Sequence, residues 1–206
     1  MAYNVGINGF GRMGRLVMRA LSGHEDLAVS HINDPAGDAA SFAHLLNFDS
    51  VQGRWEREAE VSGDGLVIEG RRVSTSRNEP LDATDWSACD VVLEASGVFK
   101  SGAALQPYLD QGVPRVVVTA PLKEDGIPDV VMGINQQVFD AARHRIVTAA
   151  SCTTNCLAPI VKVVHEGLGI LHGSMTTIHD ITNTQTIVDR GHKDLRRARA
   201  CGSSLI

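Results

Sequence analysis

The segment Gly9-Phe10-Gly11-Arg12-Met13-Gly14 constrains this chain more than any other. The run Tyr3–Asn8 before this GxGxxG turn predicts a strand. After it, Arg12–Ser22 carries Met13, Leu16, Val17, Ala20 and Leu21 at the spacing of one helical face. Between a strand and a helix each glycine has a physical task. Gly9 permits the tight turn, Gly11 lets backbone amides approach a pyrophosphate, and Gly14 lets the helix pack close to the strand. The helix N-terminus then offers partial positive charge to the phosphates. A second strand is expected at Leu27–Ile32, with Asp34 beyond its end, about 20 residues past the turn. A carboxylate there accepts from a ribose 2′-hydroxyl and repels a 2′-phosphate, which favours NAD over NADP.

The rest of the first half alternates in the same way. Val91–Glu94, Arg115–Thr119, Val130–Gly133 and Arg145–Thr148 read as short strands, and Ser101–Gln111 as a helix closed by Gly112. Alternating strands and helices predict an α/β fold with a doubly wound, Rossmann-type parallel sheet. Trp55–Val73 holds Gly63-Asp64-Gly65 and Glu69-Gly70-Arg71 between β-prone residues, the pattern of antiparallel hairpins at a sheet edge. Ser96-Gly97 and Thr119-Ala120 fall at the carboxyl ends of strands, where a cofactor lies in an open parallel sheet. Arg77 suits either stacking on adenine or an exposed loop.

The pattern changes near Ala149, which is taken as a domain boundary: 1–149 for dinucleotide binding and 150–206 for the beginning of an α+β catalytic domain. Thr153–Glu166 predicts a helix stopping at Gly167, Ile170–Ile178 a long strand, and Asp189–Gly202 a basic loop running into a helix. So short a second domain buries too little apolar surface to stand alone, and the sequence is expected to stop partway through it. The hydrophobic content of 43% is that of a globular protein, and the net charge of −5 gives no electrostatic reason to expect nucleic acid or an anionic membrane. No apolar run is long enough to span a bilayer, and the first residues lack the pattern of a signal peptide.

Cysteines stand at 89, 152, 156 and 201, with neither disulfide nor zinc spacing, so no metal is expected and a reducing cytoplasm is the simplest location. Ser151-Cys152-Thr153-Thr154-Asn155-Cys156 follows a strand and begins a helix. A cysteine at a helix N-terminus feels the dipole, which favours the thiolate. His179 ends the expected strand Ile170–Ile178 and can serve as the base of a Cys/His pair. Cys156, one turn on, reads as a small buried apolar residue. Ser151, Thr153, Thr182, Thr184 and Arg197 supply donors suited to phosphate, although isolated threonines also serve as caps and turns. The cations from Lys193 to Arg199, apart from Arg197, fit a solvated face equally well.

The blocks NVGINGFGRMGR, ASGVF, TAPLKEDGIPDVVMGIN, ASCTTNCLAP, TTIHDITNTQ and HKDLRRARA resemble the phosphorylating glyceraldehyde-3-phosphate dehydrogenases. The resemblance runs from Tyr3 to Ile206. It implies that Cys152 attacks the substrate aldehyde, that His179 is its base, and that inorganic phosphate then cleaves the thioester to give 1,3-bisphosphoglycerate and NADH. It places the attacking phosphate at Ser151 and Thr153, further phosphate recognition at Thr182 and Arg197, the pyrophosphate on the amides of Arg12 and Met13, and the adenosine ribose on Asp34. It also implies a cytoplasmic homotetramer in glycolysis and a longer chain. Thr184 stands where aspartate is frequent in the family, and Pro35 where a bulky apolar residue is common. FDSVQGRW, NDPAGDAA and HDITNTQT resemble the subgroup associated with arsenate resistance, in which arsenate replaces phosphate. The alternatives are an erythrose-4-phosphate dehydrogenase and a non-catalytic NAD-binding module.

Overall fold

In the computed structural model, residues 2–178, 180–182 and 185–203 are described. The elements of the first part are β1 (Tyr3–Asn8), α1 (Arg12–Leu21), β2 (Leu27–Asn33), α2 (Ala39–Asn47), β3 (Phe48–Asp49), β4 (Gly53–Arg54), β5 (Ala59–Ser62), β6 (Gly65–Ile68), β7 (Arg71–Ser76), β8 (Val91–Glu94), α3 (Gly102–Asp110), β9 (Arg115–Val118), β10 (Ile146–Thr148) and α4 (Cys152–Leu168). One sheet has the order β10-β9-β8-β1-β2-β7-β6-β5. From β10 to β7 every pairing is parallel, whereas β7–β6 and β6–β5 are antiparallel. The hairpins expected in Trp55–Val73 thus extend the sheet edge, and β7 joins them to the parallel strands. Glu69 (φ 49°) and Gly70 (φ 77°) form the two-residue turn between β6 and β7. Two successive positive φ values match the right-handed twist of the flanking strands.

Chain order reverses between β1 and β8, since β1 is followed on one side by β2 and flanked on the other by β8. Alternation along each strand separates two cores. Ile7 and Leu93 face a cluster with Phe10, Met18, Ile32, Phe42, Leu46, Leu66 and Val73. Val92 faces another cluster with Trp86, Leu105, Tyr108, Val113 and Val116. Gly6 lies on that second side, where a Cβ would stand 2.9 Å from both Trp86 and Cys89. The helix α3 is capped by Ser101, whose side chain accepts from the Ala104 amide, and Gly112 (φ 90°) ends it.

Several expectations are corrected. No strand forms over Val130–Gly133; Asp129 makes one bridge to Thr148 and the chain then turns. Ile170–Ile178 is not a strand either. Among the described residues no strand pairs with this segment, and β propensity acts through cross-strand packing. The helix expected to stop at Gly167 runs to Leu168, and Gly169 (φ 77°) supplies the left-handed residue that ends it. Unforeseen was α2. Asp38 and Ser41 form its capping box, and Ala39, Phe42, Ala43 and Leu46 are buried at helical spacing.

The chain divides into two compact units, Met1–Gly167 and Leu168–Ile206. In the second, Thr186 bridges Ala200, Arg199 pairs with Asp189 at 2.9 Å, and a short 3-10 helix spans Leu195–Ala198. This is the only helix among the described residues of the basic segment, where a loop running into a helix was expected.

Candidate active site

The carboxyl ends of the parallel strands carry most of the residues singled out in the sequence. Gly9 has φ 90°, and a Cβ there would lie 2.3 Å from the Ser96 nitrogen. A Cβ on Gly14 would lie 2.0 Å from the Gly9 carbonyl oxygen. These two positions are closed by backbone and accept glycine alone. Gly11 differs: its φ is −67° and nothing lies within 4 Å of its Cβ direction. It is the N-cap of α1 and has no side-chain cap, so the first amides of the helix face an open cradle. The Arg12 side chain is turned away, bonded to both Asp49 oxygens at 2.9 Å. The amides of Gln52 and Val51, with Arg12 beside them, hold the Asp49 carboxyl far below the ordinary carboxylate range. Met13 is exposed at the helix start.

Asp34 stands at the end of β2, with Oδ2 accepting from the Phe10 amide at 2.6 Å and Oδ1 from the Ala36 amide at 2.8 Å. It therefore braces the glycine turn, and each oxygen keeps a further acceptor direction. An open glycine, an uncapped helix N-terminus and a carboxylate at the end of the next strand together fit a dinucleotide with a free ribose 2′-hydroxyl. Across the switch, Ser96 and Gly97 follow β8, and Thr119 follows β9 with its amide bonded to the Glu94 carbonyl at 3.0 Å. Arg77 is exposed at the end of β7 and lines a shallow pocket with Asp38, Val61 and Thr75; no ring stacks on it among the described residues.

The same edge carries Cys152. The strand β10 runs parallel to β9, and its continuation Ala149-Ala150-Ser151 leads to the first residue of α4. Ala150 has φ 56° and is buried. An alanine in the left-handed region costs about 1 kcal/mol. Asn155 helps hold this bend by donating to the Ala149 carbonyl at 2.7 Å. Ser151 Oγ caps the helix by accepting from the Thr154 amide at 3.0 Å. Cys152 is exposed, and Thr153 half-buried. Cys156 is exposed, not buried as expected. No described residue of α4 is buried, so an apolar side chain there finds no core.

His179 and Thr184 lie outside the described residues. In the second unit, the Thr182 amide donates to Gln185 Oε1 at 2.8 Å, and Arg197 sits 3.9 Å from Asp194. Sequence reasoning missed a buried polar chain across the switch point. Asn33 donates to Asn8 at 2.8 Å, and Asn8 to Glu94 at 2.7 Å. Tyr108 donates to the same Glu94 oxygen at 2.7 Å. Burial, and then the adjoining Glu94 charge, hold the Tyr108 phenol protonated far above its ordinary range. The available signals were an acid closing the apolar run VVLE and asparagines ending two strands. Among the described residues no group of His, Cys, Asp or Glu could hold a metal, and no helix is long and apolar enough to cross a membrane.

The family described as glyceraldehyde 3-phosphate dehydrogenase, NAD binding domain, matches residues 3–102, and that family's C-terminal domain matches residues 151–206. Over the whole of this chain, glyceraldehyde-3-phosphate dehydrogenase 3 of Nostoc sp. is 54% identical, with 61% of its own length covered. The enzyme of Geobacillus stearothermophilus is 45% identical over the whole chain and 62% of its own length. Glyceraldehyde-3-phosphate dehydrogenase 1 of Bacillus subtilis is 43% identical over the same shares. The chain spans about six tenths of the length of these curated relatives.

Proposed function

The chain belongs to the glyceraldehyde-3-phosphate dehydrogenase family, and from that premise we propose that it acts in the NAD-dependent oxidation and phosphorylation of glyceraldehyde 3-phosphate. The observation that carries the reading is Cys152 at the start of α4, delivered by β10 to the sheet edge that holds the glycine cradle. Gly9–Gly14, Asp34, Ser96, Gly97 and Thr119 would hold the dinucleotide, with Arg77 beside the adenosine. When bound, NAD supplies the hydride acceptor.

In this reading the Cys152 sulfur attacks the aldehyde carbon, forming a C–S bond, while His179 takes the thiol proton. Loss of hydride from that carbon leaves a thioester on Cys152. A phosphate oxygen then attacks the carbonyl carbon, the C–S bond breaks, and Cys152 departs as thiolate, giving the acyl phosphate. Ser151 and Thr153 orient the attacking phosphate, and Thr182, Thr184 and Arg197 supply further phosphate recognition. The boundary near Ala149 belongs to the same reading, supported by the C-terminal match that begins at residue 151. So do a cytoplasmic location and a homotetramer, which rest on resemblance alone.

Arsenate in place of phosphate is a finer reading, favoured by the blocks FDSVQGRW, NDPAGDAA and HDITNTQT. The two anions have nearly the same shape and charge, so the same donors serve both. NADH formation from glyceraldehyde 3-phosphate and NAD, with and without phosphate, tests the main reading. Phosphate-dependent turnover lost in Cys152→Ser supports it. Phosphate-independent turnover on erythrose 4-phosphate replaces it with the alternative in which water cleaves the thioester, and NAD binding without turnover reduces the chain to a binding module. Equal rates with arsenate show tolerance, and a strong preference for arsenate supports the finer reading.

A further inference from the structure

Glu94 is 1% exposed and lies at the carboxyl end of β8, next to the point where strand order reverses. Its carboxylate receives donors on both oxygens. Asn8 Nδ2 and Tyr108 Oη donate to one, each at 2.7 Å, and the Ser96 amide, at 2.9 Å, and hydroxyl donate to the other. No cationic side chain is paired with it among the described residues. A buried carboxylate satisfied only by neutral donors leaves its charge uncompensated at close range.

On the NAD reading, that charge would lie close to the path of the dinucleotide. Gly9 is pressed on Ser96, and Asn8 immediately precedes Gly9. Asp34 ties the glycine turn to β2, on the far side of β1 from β8. Cys152 follows β10, two strands beyond β8 in the other direction. On the reading that the reacting end of the cofactor reaches Cys152, that end lies over β8, β9 and β10. Two strand spacings amount to about 10 Å. The nicotinamide ring is cationic when oxidised and neutral when reduced. At about 10 Å and an effective dielectric constant of about 20, attraction to a unit anion corresponds to a factor of about ten in affinity.

We propose that Glu94 is a specificity-determining residue for the redox state of the cofactor: its buried carboxylate makes the crevice bind the oxidised dinucleotide more tightly than the reduced one. This inference rests on the NAD reading above. Equilibrium titrations of the full chain with NAD+ and with NADH, for wild type, Glu94→Gln and Tyr108→Phe, test it. Wild type is expected to prefer NAD+, and Glu94→Gln to reduce the NAD+/NADH affinity ratio about tenfold. Tyr108→Phe removes a donor but keeps the charge, so its ratio stays within about twofold of wild type even if both affinities fall. An unchanged ratio in folded Glu94→Gln overturns the proposal and leaves Glu94 a scaffold residue. A wild-type chain that binds NADH as tightly as NAD+ overturns it without any variant. Binding of neither form defeats the cofactor reading itself, and the proposal falls with it.

Discussion

Replacing Gly11 and Gly14 separately by alanine should divide the glycine turn into two independent functions. A Cβ on Gly14 would meet the Gly9 carbonyl oxygen at 2.0 Å and Ile7 Cγ2 at 3.3 Å. The oxygen is backbone and cannot rotate away, so α1 must shift by more than 1 Å or the Gly9 turn must open, with overpacking costing about 2–3 kcal/mol. At Gly11 the backbone is already in a region open to alanine, and no atom lies within 4 Å. The restricted unfolded chain gains about 0.4–1 kcal/mol, which offsets a similar loss from alanine at an N-cap. Gly11→Ala should therefore unfold at nearly the wild-type urea concentration while losing at least about tenfold in NAD affinity, because the methyl group occupies the phosphate approach. Gly14→Ala should show a clearly lower unfolding midpoint. Trp86 and Trp55, both buried, report unfolding through their fluorescence, and titration with NAD reports binding. Equal destabilisation by the two variants, or a Gly11→Ala chain that binds NAD like wild type, would refute the reasoning.

Ser101→Ala removes the cap on the Ala104 amide and should cost about 1 kcal/mol in urea unfolding, with Ser101→Asn restoring most of it. Asp34→Ala leaves the Phe10 and Ala36 amides without their acceptor, so it should lower both stability, by about 1–2 kcal/mol, and NAD affinity; Asp34→Asn should recover stability before affinity. Asp49 has a depressed carboxyl in the folded chain, so its contribution is present above the unfolded value of about 4 and is lost as pH falls through the folded value. Denaturation curves recorded from about pH 5 downward should fall more steeply for wild type than for Asp49→Asn. Cys152→Ser should abolish turnover and leave the unfolding midpoint unchanged, because the exposed side chain carries no packing.

Which of these features could be read from sequence follows from how far each interaction reaches along the chain. The strand Tyr3–Asn8, the glycine turn, the helices beginning at Arg12 and near Ser101, and the cysteine at the head of α4 follow from periodicity, caps and turn chemistry within a dozen residues. The helix α2 was legible in the same way, from Asp38 and the spacing of Phe42, Ala43 and Leu46, but its shortness and its place beside Pro35 and Gly37 obscured it. Ile170–Ile178 and Val130–Gly133 carry β-prone residues that form no strand, because a strand requires a partner that local sequence does not name. The parallel order from β10 to β7 and the meeting of Asn33, Asn8, Glu94 and Tyr108 depend on residues up to 86 positions apart. Sequence alone determined that the chain holds a dinucleotide turn and a cysteine at a helix start. Tertiary structure decided that both share one sheet edge, and that a buried carboxylate stands between them, because only packing sets which distant strands become neighbours.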